Sequence, residues 1–255
     1  MPARMAEPLT LVPVGVGAAY GRPGEAQSAY LVAAGERRVC LDLGAGTFNL
    51  LQALVRPERL DAVLVSHLHP DHCADLFALR VYMVWGPGAG SRVRLWGPPG
   101  LRDRLVAFAG EEGWDEAIAF ATLEPPGGEL DLGGGLRLRY AEVPHLHPTF
   151  AVRVDWAGRS VCYGADCAPN EVLPRLASGC DILVAECSFG AGGSGSGASH
   201  LDAREAAAMA RAAGVRRLLL THCYPEFDRD AALEAARSVF PGPVEWAEAG
   251  RAVRA

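Results

Sequence analysis

The apolar residues of this chain fall into short runs of strand character, separated by stretches with helical spacing. Residues 28–33 and 38–43 flank Ala34-Gly35-Glu36, which predicts a β-hairpin, and residues 61–65 form a short buried strand that ends at Ser66. From Asp75 to Trp85 the spacing turns helical and stops at Gly86-Pro87. Residues 93–96 read as a strand, after which Gly97-Pro98-Pro99-Gly100 is a turn that opens a helix over 101–111. The second half repeats the style. Residues 136–143, 150–156 and 159–163 read as consecutive strands, the last two joined at Ala157-Gly158, and residues 181–186 as another buried strand. An alanine-rich helix over 202–213, with Asp202 as its N-cap and Gly214 as its stop, leads to a strand over 216–221, and a last helix spans 228–240. Strand runs with interleaved helices in both halves predict two sheets packed face to face, helices outside. No linker-like composition divides the halves, so one domain over residues 1–255 is expected. The glycine- and serine-rich stretch 190–199 is too short to join domains and reads as a mobile loop.

Composition narrows the class. Half of the 255 residues are apolar, enough to build a sizeable core. The net charge of -6 sets 30 acidic residues against 24 basic ones, every one of them arginine. A mildly acidic chain argues against extended nucleic-acid binding, which draws its affinity from neutralised phosphates. Without lysine, phosphate contacts outside a metal site fall to arginine, backbone amides or histidine. Residues 1–8 hold no long apolar segment, and Pro13 and Gly15 break the run 9–16; neither a signal peptide nor a membrane span is expected, and the chain reads as soluble and cytoplasmic. Seven cysteines with no CxxC pair read as reduced core residues.

The candidate chemistry lies in the seven histidines, His67, His69, His72, His145, His147, His200 and His222. All are expected in loops or just beyond strand ends, where side chains from separate segments can meet. The densest group is Ser66-His67-Leu68-His69-Pro70-Asp71-His72. In extended backbone alternate residues face one side, so His67 and His69 can grip one ion, while Pro70 turns the chain and directs Asp71 and His72 toward a second. Imidazole nitrogen and carboxylate oxygen are the donors zinc favours in catalytic sites that keep a position for water. A single loop histidine is ordinarily a solvated or hydrogen-bonded side chain. Three of them with an aspartate inside six residues, behind a buried strand, point to metal.

This string resembles the HxHxDH motif of the metallo-β-lactamase-fold hydrolases, matched residue for residue by His67, His69, Asp71 and His72. The resemblance covers most of the chain and implies an α/β protein, a four-layer αββα sandwich, around a dinuclear site. His145 matches the family's next histidine, standing five residues before Phe150, the aromatic that begins the following strand. That leaves His147 as a pocket-lining, substrate-binding residue, with Ser199. Asp166 matches the bridging aspartate, with Ala165 where members usually carry glycine, and His222 matches the final ligand. The implied sets are His67, His69, His145 and Asp166 for one ion, and Asp71, His72, His222 and Asp166 for the other. The implied ions are divalent, zinc first, with manganese or iron as alternatives. An aspartate alone after a strand is more often a turn or cap residue. A bridging carboxylate, however, can give one oxygen to each of two ions, which in two-metal sites stand about 3.5–4 Å apart.

Asp166 at the bridge separates the chain from the zinc β-lactamases that use cysteine there. Cys73, Cys167 and Cys223 each follow an implied ligand and are expected to face away as packed thiols. The turn Gly97-Pro98-Pro99-Gly100, the strand-end Glu186 and His200 before the alanine-rich helix resemble the phosphodiesterase-type members, RNase Z and smaller bacterial relatives that hydrolyse cyclic nucleotides. Residues 69–76 are most similar to the small cyclic-nucleotide branch, and no arginine-rich insertion of the kind RNase Z uses for tRNA is visible. The resemblance thus implies a cytoplasmic, homodimeric phosphodiesterase for small nucleotide or related phosphodiesters. Bound metals would bring the pKa of water toward about 7, giving hydroxide at neutral pH. Asp71 then counts among the catalytic groups, and His200, oriented by Glu186, would protonate the leaving alkoxide. The glycine-rich loop would admit substrate and close over it. The same cage would serve a lactone, ester or thioester hydrolase, or, in another class, a metal-binding regulator without turnover.

Overall fold

The computed structural model describes residues 8–192 and 199–255, so most of the glycine-rich stretch expected to form a mobile loop lies outside the described residues. Two seven-stranded sheets form the centre of the molecule. The first takes β1 (Thr10–Gly15), β2 (Ala29–Ala34), β3 (Arg37–Leu41), β4 (Ala62–Leu64), β5 (Val93–Gly97) and β6 (Ile118–Thr122). The second takes β7 (Gly127–Asp131), β8 (Arg137–Val143), β9 (Thr149–Trp156), β10 (Arg159–Tyr163), β11 (Ile182–Glu186), β12 (Arg217–Thr221) and β13 (Val244–Trp246). The last strand, β14 (Val253–Arg254), returns to the first sheet beside β1. Their orders are β14-β1-β2-β3-β4-β5-β6 and β13-β12-β11-β10-β9-β8-β7.

Central strands are buried on both faces, and successive residues serve different layers. In β10, Val161 and Tyr163 enter the core between the sheets while Cys162 packs under the outer helices. In β2, Tyr30 and Val32 face the inter-sheet core and Ala29 and Leu31 the opposite side. This two-residue alternation, apolar at every position, is what places helices on the outside of both sheets. Over the first sheet lie α1 (Thr47–Gln52), α2 (Pro70–Cys73), α3 (Leu76–Trp85), α4 (Leu101–Ala109) and α5 (Trp114–Ala117). Over the second lie α6 (Val172–Leu176), α7 (Ala203–Ala213) and α8 (Arg229–Arg237). The architecture is the expected α/β sandwich of four layers, αββα.

Most expected elements form within a few residues of their expected ends. Helix α7 begins at a capping box, with the Asp202 carboxylate accepting from the Glu205 amide and Glu205 returning to the Asp202 amide, and stops at left-handed Gly214. The run containing Pro13 and Gly15, read as broken, is β1. A register shift between those residues accommodates the missing donor of Pro13, and a Cβ on Gly15 would lie 1.9 Å from the Gln27 carbonyl oxygen. Strand β7 escapes the hydrophobic pattern because it is an edge strand, mostly exposed, held by backbone pairing with β8. Among the described residues, no helix is long and apolar enough to cross a membrane.

Direction fixes where a site can form. Strands β10, β11 and β12 are parallel, and β8 shares their direction because it is antiparallel to β9, which is antiparallel to β10. Their C-terminal ends therefore open on one edge of the sandwich, the usual place for ligands in such sheets.

Candidate metal centre

Strand ends deliver most of the histidines and acids to one place. His67 and His69 follow β4, His145 follows β8, Asp166 follows β10, Glu186 ends β11 and His222 follows β12. Asp71 and His72 come from α2, so the expectation that every histidine lies in a loop or beyond a strand fails at His72. There His69 is an extended N-cap residue, and Pro70, with its φ already set for a first helical position, starts a single turn. Donor atoms of His67, His69, His145 and Asp166 all lie within 4.8 Å of one another, and so do those of Asp71, His72, Asp166 and His222. Asp166 joins both groups, its Oδ2 3.4 Å from His72 Nε2, 3.5 Å from His222 Nε2 and 3.8 Å from His67 Nε2. His147 belongs to neither; it is exposed and meets His69 edge-on, ring centroids 5.1 Å apart. A third group joins Glu186, His200 and His222.

The donor set fits divalent cations. His67, His72, His145 and His222 each point Nε2 at the cluster and tie Nδ1 outward, to Ser66 Oγ (3.0 Å), Asp42 Oδ2 (2.8 Å), the Ser199 carbonyl (2.8 Å) and Ser188 Oγ (3.0 Å). His69 faces inward through Nδ1, 3.0 Å from His67 Nε2 and 3.3 Å from His145 Nε2. One ring nitrogen fixed by an outer partner, the other facing fellow donors, is how metal-ligating histidine is normally oriented. Cys73, Cys167 and Cys223 are buried, and none joins these groups. Burial pushes the Cys73 thiol up to about 11, which disfavours the thiolate a metal would need.

Several groups that organise the centre were passed over in the sequence. Asp42, fully buried, accepts hydrogen bonds from the Ser66 amide (2.6 Å), Ser66 Oγ (2.8 Å) and Tyr163 Oη (2.7 Å), and meets His72 Nδ1 at 2.8 Å. Tyr163 reaches it from the opposite sheet. Ser188 is the second such group: its hydroxyl gives its proton to Glu186 Oε2 at 2.5 Å and stands 3.0 Å from His222 Nδ1. The signal for Asp42 was an acid ending the wholly apolar run Val39-Cys40-Leu41; its partners, distant in sequence, gave none. Asp42, Ala165 and His222 all hold positive φ, at 59°, 53° and 54°, Asp42 and His222 directly beyond strand ends and Ala165 two residues past the end of β10. Left-handed backbone at non-glycine residues is strained and concentrates at functional sites. It also explains the glycine usual at the Ala165 position, since only glycine adopts that φ without cost.

Charge follows the same geometry. Burial alone lowers an imidazole pKa; it holds His67 well below the usual value, and it brings His69 down to about 4. At His72 burial acts the same way but is outweighed by the Asp166 and Asp42 carboxylates, which raise it. Burial would raise Asp71 and Asp166; His222 and His72 reverse this and hold both well below the carboxylate range. His200 is brought up to about 9, burial being overcome by Glu186, whose Oε1 lies 3.0 Å from Nδ1, and by the charge of Asp166.

A sandwich of this kind, with grouped histidines and aspartates where its strands end, defines a metallo-β-lactamase-fold protein with a cluster suited to divalent metal. The chain belongs to the β-lactamase superfamily, whose family model, described as "Beta-lactamase superfamily domain", matches residues 37–223. It is 28% identical over 242 residues to the "Probable metallo-hydrolase YhfI" of Bacillus subtilis, covering 93% of this chain and 96% of that one. The crystal structure of that protein superposes with a TM-score of 0.87 at 26% identity, covering 98% of this chain and all of the other. The "Ribonuclease Z" of Methanothermobacter thermautotrophicus is 46% identical over 252 residues, covering 78% of this chain and 82% of that one. Human tRNase Z, short form, shares the fold with a TM-score of 0.74 at 21% identity, covering 96% of this chain and 98% of that one. The chain is thus a metallo-hydrolase of this superfamily, close to YhfI and to RNase Z-like proteins.

Proposed function

We infer that this metallo-hydrolase is a dinuclear phosphodiesterase acting on small phosphodiesters, cyclic nucleotides or their relatives. The observation that carries the reading is the pairing of His200 with buried Glu186 beside Asp166, a proton donor next to the metal-binding groups. The ribonuclease among the relatives supports phosphodiester chemistry. In this reading His67, His69, His145 and Asp166 hold one ion, and Asp71, His72, His222 and Asp166 the other, with zinc the preferred metal for a nitrogen and carboxylate donor set. When bound, a pair of divalent ions supplies Lewis-acid polarisation of the phosphoryl oxygens and lowers the pKa of water.

The chain's own residues then do three things. Asp42, Ser66, Ser188 and the Ser199 carbonyl hold four imidazoles in one tautomer and one orientation. Hydrolysis joins a water oxygen to phosphorus and breaks one ester P–O bond, and the departing oxygen requires a proton. With Nδ1 of His200 taken by Glu186, donation falls to Nε2. Glu186 is the carboxylate near His200 that neither metal set uses, so its hold on the imidazolium persists when Asp71 and Asp166 are engaged. Exposed His147 and the Ser199 hydroxyl are assigned to substrate contact at the entrance.

The test is hydrolysis of bis-p-nitrophenyl phosphate. Activity should vanish with strong chelator and return with zinc or manganese. His200→Ala should lower turnover of a cyclic nucleotide, whose departing alkoxide needs a proton, roughly 10²- to 10⁴-fold with metal content unchanged, and should affect bis-p-nitrophenyl phosphate far less, because nitrophenolate leaves without a proton. Loss of metal in that variant would make His200 a ligand instead of an acid. Faster hydrolysis of an acyl lactone or a thioester than of any phosphodiester would overturn the substrate class.

A further inference from the structure

A cavity of about 380 Å³ abuts the cluster at His69 and lies between that residue and the helices α3 and α4. Its walls are apolar, chiefly Leu68, Phe77, Leu101, Leu105 and Phe108, and its volume falls in the range of small-molecule sites. Phe77 and Phe108 form an aromatic pair, ring centroids 4.9 Å apart, yet Phe108 remains 81% exposed. Arg104 is the one arginine of the lining. Its Nη1 donates to the carbonyl of Leu68, the residue between His67 and His69, at 3.3 Å, which fixes a guanidinium at the rim shared by cavity and cluster.

The other arginines of this region are committed. Arg102 on the same helix pairs with Asp115 at 2.5 Å, and Arg80 with Glu111 at 2.8 Å. Among the described residues no carboxylate pairs with Arg104. The larger hollow of about 530 Å³ near Arg22 and Trp246 has no residue of the cluster in its lining; Arg229 there pairs with Glu25 at 2.5 Å, and Arg22 donates through Nη2 to the backbone carbonyls of Pro225 and Phe227, while Arg22 Nη1 and Arg229 Nε are buried without a hydrogen-bond partner among the described residues.

We propose that the cavity beside His69 receives a flat aromatic group, a nucleobase or comparable ring, carried on the substrate next to its scissile phosphate. Phe77 and Phe108 offer it ring contact, and Arg104 offers a positive charge to the phosphate anion between ring and cluster. The inference rests on the phosphodiester reading above and narrows it to esters with an aromatic substituent. Ring stacking is favourable whatever the base and insensitive to its edge, so the cavity selects a class of substrate and leaves the particular base open.

The experiment compares the O-methyl, O-hexyl and O-phenyl esters of S-ethyl thiophosphate, whose thiolate leaving group carries no ring, with zinc-loaded protein, and separately measures phenylphosphonate and methylphosphonate binding by calorimetry. The phenyl ester should show a kcat/KM about tenfold above the methyl ester, with hexyl below phenyl, and phenylphosphonate should bind about tenfold more tightly than methylphosphonate. Phe108→Ala, at a position exposed enough to leave folding intact, should collapse both ratios toward one. Arg104→Gln should raise KM for all three esters. Equal constants across the series, a preference for hexyl, or ratios unchanged by Phe108→Ala would overturn the aromatic site while leaving a phosphodiesterase. Absence of hydrolysis of all three esters by metal-replete protein would overturn the phosphodiester reading itself.

Discussion

A carboxylate taken wholly out of water has to be met by donors, and at Asp42 an amide, two hydroxyls and an imidazole converge on its two oxygens. The same contacts set the position of Ser66, which steers His67, and of His72 directly, so one residue outside the metal groups orients two histidines within them. Asp42→Asn keeps the shape but places an amide NH₂ among donors. Zinc affinity measured by competition with a chelating dye should fall about 10- to 100-fold, the usual effect of losing an outer partner of a ligating histidine. Tyr163→Phe, which removes one of the four partners, should have a smaller effect in the same direction. An unchanged affinity in both variants would show that the imidazoles are held by packing alone.

At the scale of elements, the short helix α2 is positioned by backbone contacts with the segment that follows β3 and with Ser28, just before β2. The Leu43 amide donates to the His72 carbonyl at 2.8 Å, the Ser28 amide to the Asp71 carbonyl at 3.1 Å, and the Asp75 amide returns to Leu43 at 3.0 Å. Gly44 allows this approach, because a Cβ there would stand 1.9 Å from the Asp71 carbonyl oxygen. That clash is with backbone, which cannot swing aside as a side chain can. Gly44→Ala should therefore push α2 away, costing about 1–3 kcal/mol in denaturant unfolding and reducing bound metal through Asp71 and His72. Wild-type stability and metal content in this variant would mean that the two segments are free to separate. Long elements with strong apolar periodicity, such as α7 with its Asp202 cap, were legible in the sequence. The one-turn α2 was not, since a helix of four residues carries no periodicity and depends on what it packs against.

For the molecule as a whole, grouped donors from distant segments tie stability to metal. Any ion bound by the folded state and not by the unfolded chain raises stability, by about 4 kcal/mol at a free concentration a thousandfold above Kd. Chelation should lower Tm measured by calorimetry and zinc should restore it; a Tm indifferent to both would argue that the groups hold no ion in the folded protein. The sequence by itself determined the layers and the supply of donors: strands apolar at every position demand cover on both faces, and the motif from His67 to His72 places metal-binding side chains at intervals of two, two and one residues that need no tertiary information to notice. The family resemblance implied the two ligand sets with Asp166 as their shared member, but only the tertiary structure brought these donors within reach of one another and decided that Asp42 and Ser188 hold their imidazoles in place. The reason is physical. Local spacing governs which way neighbouring side chains point, whereas convergence at the ends of strands far apart in the chain depends on sheet order and direction, which periodicity does not encode.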